Sequence, residues 1–295
     1  MTHGTADRYE VPLERGKVRE FVRACGLEPT DFEDSSSSIP PTFLTTSNFW
    51  RPPEHDPFLE FGFDPARILH GEEHYAFHGA PPRVGSTLWA ATRAGEKWER
   101  TGSKAGRLRF AAILTDYHDA DGTLVAEQRT TVIETERVPD DAPTPPATAG
   151  GPDAVAETAA AADSRCRTFG PLTPTDFVRY QGAGGDFQAV HHDHLFALRS
   201  GLPGVFSLGM LQAGALSGVL VEWFGAAAVR SYSMRFLARC WPGDVLSCQG
   251  VRLSERCGTQ ARPEATVELV CRRQTGEIAI AASATVAVVP QQIAR

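Results

Sequence analysis

The six cysteines form no CxxC pair and show no zinc-finger spacing. In a chain of 295 residues they read as reduced thiols of an intracellular protein, neither a disulfide frame nor a zinc site. Positive charge is not in excess either. The 29 Lys and Arg stand against 36 Asp and Glu, giving a net charge of −7. That excludes a dedicated nucleic-acid binder, which needs a basic footprint to neutralise phosphates. With 27 Gly and 21 Pro, the chain is too poor in both for a collagen-like or low-complexity protein. The N-terminal stretch is polar and charged from the start, so no secretory or transit peptide is expected and the reading is cytoplasmic.

Long apolar runs are also scarce. Residues 200–221 carry no charge and are long enough to span a bilayer. They also contain Pro203, Gln212, three serines and five glycines, and Glu222 follows at once. Gly214 and Gly218 match the GxxxG helix-packing pattern. With those polar and helix-breaking residues, among amphipathic strands, the segment reads as a central helix buried on nearly all sides. Its glycines would let a sheet wrap closely, and no membrane partner is expected.

Residues 139–163 contain five Pro and nine Ala, with no aromatic and no basic side chain. Such a composition cannot bury enough apolar surface to offset its ordering entropy, so a linker is expected there. It divides the chain into domains at 1–138 and 164–295. The halves look like distant repeats. Gly85 follows a Pro-containing turn and opens a strand-like run, as Gly243 does after Trp241-Pro242. Gly122 leads to Thr131-Val132 much as Gly276 leads to Thr285-Val286. Two such landmarks at nearly constant offset indicate duplication of one fold; a solenoid would repeat far sooner.

Short helices are expected at 17–25 and 174–181, the second with Thr173 as N-cap and Pro174 in the first turn. Strand patterns cover 74–78, 88–92, 108–117 and 123–134, then 229–238, 245–253, 265–271 and 277–289. Several alternate apolar and polar residues, the mark of a sheet with one wet face. A buried helix followed by an antiparallel meander is an α+β layer with the sheet curled around the helix.

The densest polar cluster runs from Gly184 to His194. Asp186 and His191 stand five apart, and a carboxylate and imidazole held together can grip a water and shuttle its protons. The competing account has Asp186 capping a turn and His191 filling a polar corner. Around them, Gly185-Asp186-Phe187-Gln188-Ala189-Val190-His191, then Phe196-Ala197, Gly201-Leu202-Pro203-Gly204-Val205 and Gly209-Met210, resemble the signature of the MaoC-like (R)-specific enoyl-thioester hydratases. Tyr180, Met234-Arg235-Phe236 and Pro242-Gly243-Asp244 match further parts of the pattern. In the first half, Pro40-Pro41-Thr42-Phe43, Leu69-His70-Gly71-Glu72 and Phe77-His78 resemble the degenerate hot-dog domain often fused ahead of the active one.

The resemblance implies a double hot-dog fold, two antiparallel sheets each wrapped around a long central helix. It implies water addition across 2-enoyl thioesters of CoA or acyl-carrier protein, or the reverse dehydration, with no cofactor and no metal. Asp186 and His191 match the catalytic pair. Gly209 matches the position whose backbone N–H receives the thioester carbonyl, where a helix dipole also favours developing negative charge. Tyr180, Gln188, Leu208 and Met210 fall at substrate-binding positions. Three residues depart from the pattern: Gln188 for Asn, Ala189 for Pro and Leu208 for His. The first half has no matching Asp/His loop, so it is expected to have kept shape without chemistry and to line a wider acyl channel.

Three other features are weighed against metal or nucleotide chemistry. His70, His74 and His78 are four apart; on a strand all three would lie on one side, as solvent-facing or core-satisfied side chains. In His191-His192-Asp193-His194, Asp193 reads as the N-cap of a short helix closed by Gly201. The glycines at 182–185 lack the third Gly and the βαβ setting of a dinucleotide site. Rival activities are a hot-dog thioesterase and a non-catalytic acyl-thioester-binding subunit. A tandem chain already supplies two sheets, so a homodimer is optional.

Overall fold

The computed structural model describes residues 8–64, 67–102, 106–136, 164–256 and 263–288. The linker expected at 139–163 and Cys257 lie outside the described residues. The first half begins with β1 (Tyr9–Pro12) and α1 (Arg15–Ala24), then short 3-10 turns and α2 (Phe58–Phe61). The strands β2 (Ile68–Phe77), β3 (Thr87–Gly102), β4 (Gly106–His118) and β5 (Leu124–Thr135) follow. The second half repeats the plan with β6 (Ser164–Phe169), α3 (Pro174–Gly184), α4 (His194–Arg199) and α5 (Gly209–Phe224). It closes on β7 (Val229–Phe236), β8 (Leu246–Arg256), β9 (Glu264–Arg273) and β10 (Ile278–Ala287).

All ten strands join one sheet in the order β1-β3-β4-β5-β2-β7-β10-β9-β8-β6. Read inward from either edge, the order is the same, so each half supplies one five-stranded unit. The units meet where β2 pairs antiparallel with β7, Glu72 opposite Arg235 and Tyr75 opposite Tyr232. The duplication read from the turns is therefore real in topology. Gly85 and Gly243, and likewise Gly122 and Gly276, all hold positive φ at equivalent turns.

One part of the expectation is corrected. Among the described residues the first half has no long central helix; a 3-10 segment, Phe43–Phe49, and α2 stand in its place. Pro52, Pro53 and Pro57 interrupt that stretch, and each removes a backbone donor a helix would need. The one long helix among the described residues, α5, packs on the second-half strands β6–β10. Residues 210–221 of it are buried without a break, which is why the segment carries no charge. No helix among the described residues is long and apolar enough to cross a membrane. Of the GxxxG glycines, Gly214 lies against Cys25 at the end of α1, while Gly218 lies against Leu27 and against Arg167 of the edge strand β6. The small residues thus let α5 dock on the first half.

Candidate active site

Helix α3 begins with a capping box, Thr173 accepting from Asp176 N–H while Asp176 accepts in return. It ends at Gly185, whose left-handed φ of 86° turns the chain sharply into the Asp186 loop. Gln181, buried near the end of α3, ties that loop down. Its Nε2 donates to the carbonyls of Asp186 (2.9 Å) and Gln188 (3.2 Å), while Oε1 pairs with His192 Nδ1 at 2.9 Å. A 3-10 turn, Ala189–His191, then carries His191 inward. Asp193 caps α4 by accepting from Phe196 N–H, and Gly201 follows with φ 78°, as expected.

Asp186 Oδ2 lies 3.9 Å from His191 Nε2. The carboxylate is half-exposed and its other oxygen accepts from Gln188 N–H at 3.1 Å. His191 is buried, and its Nδ1 sits 2.8 Å from the Phe206 carbonyl. A carbonyl only accepts, so Nδ1 carries the proton and donates. Burial pushes the imidazole below its usual 6.5, and the Asp186 charge and the Phe206 carbonyl partly restore it. At neutral pH the ring is uncharged, with the Nε2 lone pair toward Asp186.

Both side chains line a cavity of about 870 Å³ that also reaches residues of the first half, including His70, Thr115 and Val132. Gly209 stands on its wall as the first residue of α5, where backbone N–H groups have no intrahelical acceptor. A Cβ there would come within 2.8 Å of the Phe236 ring, so only glycine keeps this approach open. Tyr180, Gln188 and Met210 also line the cavity. Leu208 does not. As the N-cap its backbone is extended (φ −71°, ψ 134°), so Ser207 takes the cavity side while Leu208 is buried in the core.

The three spaced histidines do not share a face. A β-bulge between His70 and Glu72 reverses the alternation, putting His70 on the cavity and His74 against Ser233. His78 pairs with Glu127. No group of side chains suited to a metal occurs among the described residues. Gln181, Phe206 and Ser207 complete the site without any sequence signal beyond their neighbours, and Phe236, matched in the pattern, packs on Gly209.

Two five-stranded units joined in one sheet, with a long buried helix packed on the second, define a double hot-dog protein, and a carboxylate and an imidazole face each other beside that helix's start. The MaoC like domain matches residues 157–270, and the FAS1-like dehydratase domain region matches residues 1–128. The second half thus carries a MaoC-like domain, and the first half matches a FAS1-like dehydratase region. Among curated proteins, none matches.

Solved structures share the fold. A MaoC-like dehydratase from Phytophthora capsici is 18% identical with a TM-score of 0.70, over 98% of this chain and 96% of its own. Full-length peroxisomal multifunctional enzyme type 2 from Drosophila melanogaster is 18% identical with a TM-score of 0.65, over 95% of this chain and 48% of its own. A conserved hypothetical protein from Mycobacterium tuberculosis, described as a double hotdog fold, is 13% identical with a TM-score of 0.60, over 94% and 93% of the two chains.

Proposed function

We propose that the chain is an (R)-specific hydro-lyase that adds water across 2-enoyl thioesters of CoA or acyl-carrier protein, or removes it from (R)-3-hydroxyacyl thioesters. The observation that carries this is the 3.9 Å gap between Asp186 and His191, open to an acyl-sized cavity beside the Gly209 N–H. That distance is too long for a hydrogen bond and short enough for one water to donate to both groups. As the water oxygen attacks the β-carbon, one of its protons passes to the pair and the second O–H stays held. The thioester carbonyl gains negative charge, which the Gly209 N–H and the α5 dipole stabilise. A proton then returns to the α-carbon. Gln188 keeps the loop through its backbone N–H to Asp186, so its longer side chain leaves the pair in place. The proposed setting is the cytoplasm, with the domain division at 139–163 and association beyond the single chain optional.

A panel of enoyl-CoAs followed for loss of the conjugated thioester, with chiral analysis of the product, tests this. (R)-3-hydroxyacyl-CoA is expected. Free thiol without hydration would assign a thioesterase, and binding without turnover a non-catalytic subunit.

The depressed His191 value sets the pH dependence. A neutral ring accepts the water proton, so activity is lost only as pH falls through the lowered value. The acid limb of kcat/KM is expected below 6.5. In the residual activity of Asp186→Asn, loss of the restoring charge moves that limb further down. An upward move would contradict the assignment.

A further inference from the structure

The first-half wall of the cavity is not the plain hydrocarbon surface an alkyl chain would select. Glu73 is buried on β2, and both of its oxygens are engaged, by His70 Nε2 and by Gln128 Nε2, each at 2.8 Å. Gln128 in turn accepts from the buried Tyr117 hydroxyl at 2.5 Å. With a carboxylate as its acceptor, His70 Nε2 carries the proton, leaving Nδ1 as an acceptor on a ring that lines the cavity. The β2 bulge is what turns this ring inward.

A second observation is independent of that chain. Tyr180 Oη, Ser207 Oγ and Gln212 Nε2 are buried atoms with no partner among the described residues. All three residues are at most 2% exposed, and all three line the cavity. Unpaired buried donors are costly, and a hydrocarbon seated against them leaves the cost in place.

We infer that the acyl group taken here carries a hydroxyl beyond its β-carbon, received by His70 and the unpartnered Tyr180, Ser207 and Gln212 groups, with Glu73 as the positioning residue that fixes the His70 ring. A hydroxyl both donates and accepts, as this mixed lining requires. The inference rests on the proposed acyl-thioester reading. A site built to bond a hydroxyl rejects the analogue lacking it far more strongly than an apolar site rejects an added one.

The test uses the full chain and saturated ligands that cannot react. Binding of hexanoyl-CoA is compared by calorimetry with its γ-, δ- and ε-hydroxy derivatives. At least one derivative is expected to bind about tenfold or more tightly than the plain chain. His70→Phe should bring that ratio close to unity. Tyr180→Phe, which removes only an unpartnered hydroxyl, should lower it even if the first variant folds poorly. Hydroxy derivatives binding no better than hexanoyl-CoA would overturn the inference. Hydration of the matching 2-enoyl forms is measured separately. If none turns over while the binding preference stands, the hydratase reading fails and this one survives.

Discussion

Asp186→Asn and His191→Ala are each expected to lower kcat for enoyl-thioester hydration by about 10²–10⁴, or roughly 3–5 kcal/mol in barrier. Asn preserves the shape of the side chain and an oxygen to accept the Gln188 N–H, so the loop should hold. What it loses is the charge that holds one O–H of the water and supports a proton on His191. Ala at 191 removes the imidazole that donates to the Phe206 carbonyl, and the Nε2 acceptor with it. Thermal melts of both variants separate a folding defect from a chemical one. Wild-type turnover in either variant would defeat the proposed roles.

Asp244→Ala should cost about 3–5 kcal/mol of stability, read as a large drop in melting temperature or urea midpoint. Asp244 and Arg273 are almost fully buried and meet through two bonds, at 2.8 and 3.2 Å. Trp241 N–H and Gln274 Nε2 fill the remaining carboxylate positions at 2.7 and 2.9 Å. Removing the acid strands a guanidinium without its main partner. The effect reaches the site, because Trp241 packs on Phe206 (ring centroids 5.9 Å apart), and the Phe206 carbonyl holds His191. A melting temperature within a degree or so of wild type would show that the turn is not the anchor described.

Turn chemistry made the duplication legible. The glycines at 85, 122, 243 and 276 sit where the backbone needs positive φ, and their spacing survived even though the strands between them diverged. The eight longer strands were expected, several of them from alternation, although β2 and β3 run well beyond the 74–78 and 88–92 read from the sequence. β1 and β6 were not, being short edge strands of four and six residues, one ending in Pro. The missing helix of the first half has a local cause, the prolines between Arg51 and Phe58. The spaced histidines misled for a subtler reason: period-two reasoning assumes an unbroken pleat, and one extra residue near Gly71 sends His70 to the opposite face from His74. The Asp186/His191 loop was legible because its residues lie close in sequence. The walls of the cavity were not, since they come from β2, β4 and β5 of the other half.

The central claim is that Asp186 and His191 act on one shared water, and a double-mutant cycle in kcat tests it most directly. If they do, the double variant Asp186→Asn/His191→Ala should be hardly slower than the worse single variant, because losing either group already releases the water. Losses that multiply would mean that the two side chains act independently, and the account would be wrong.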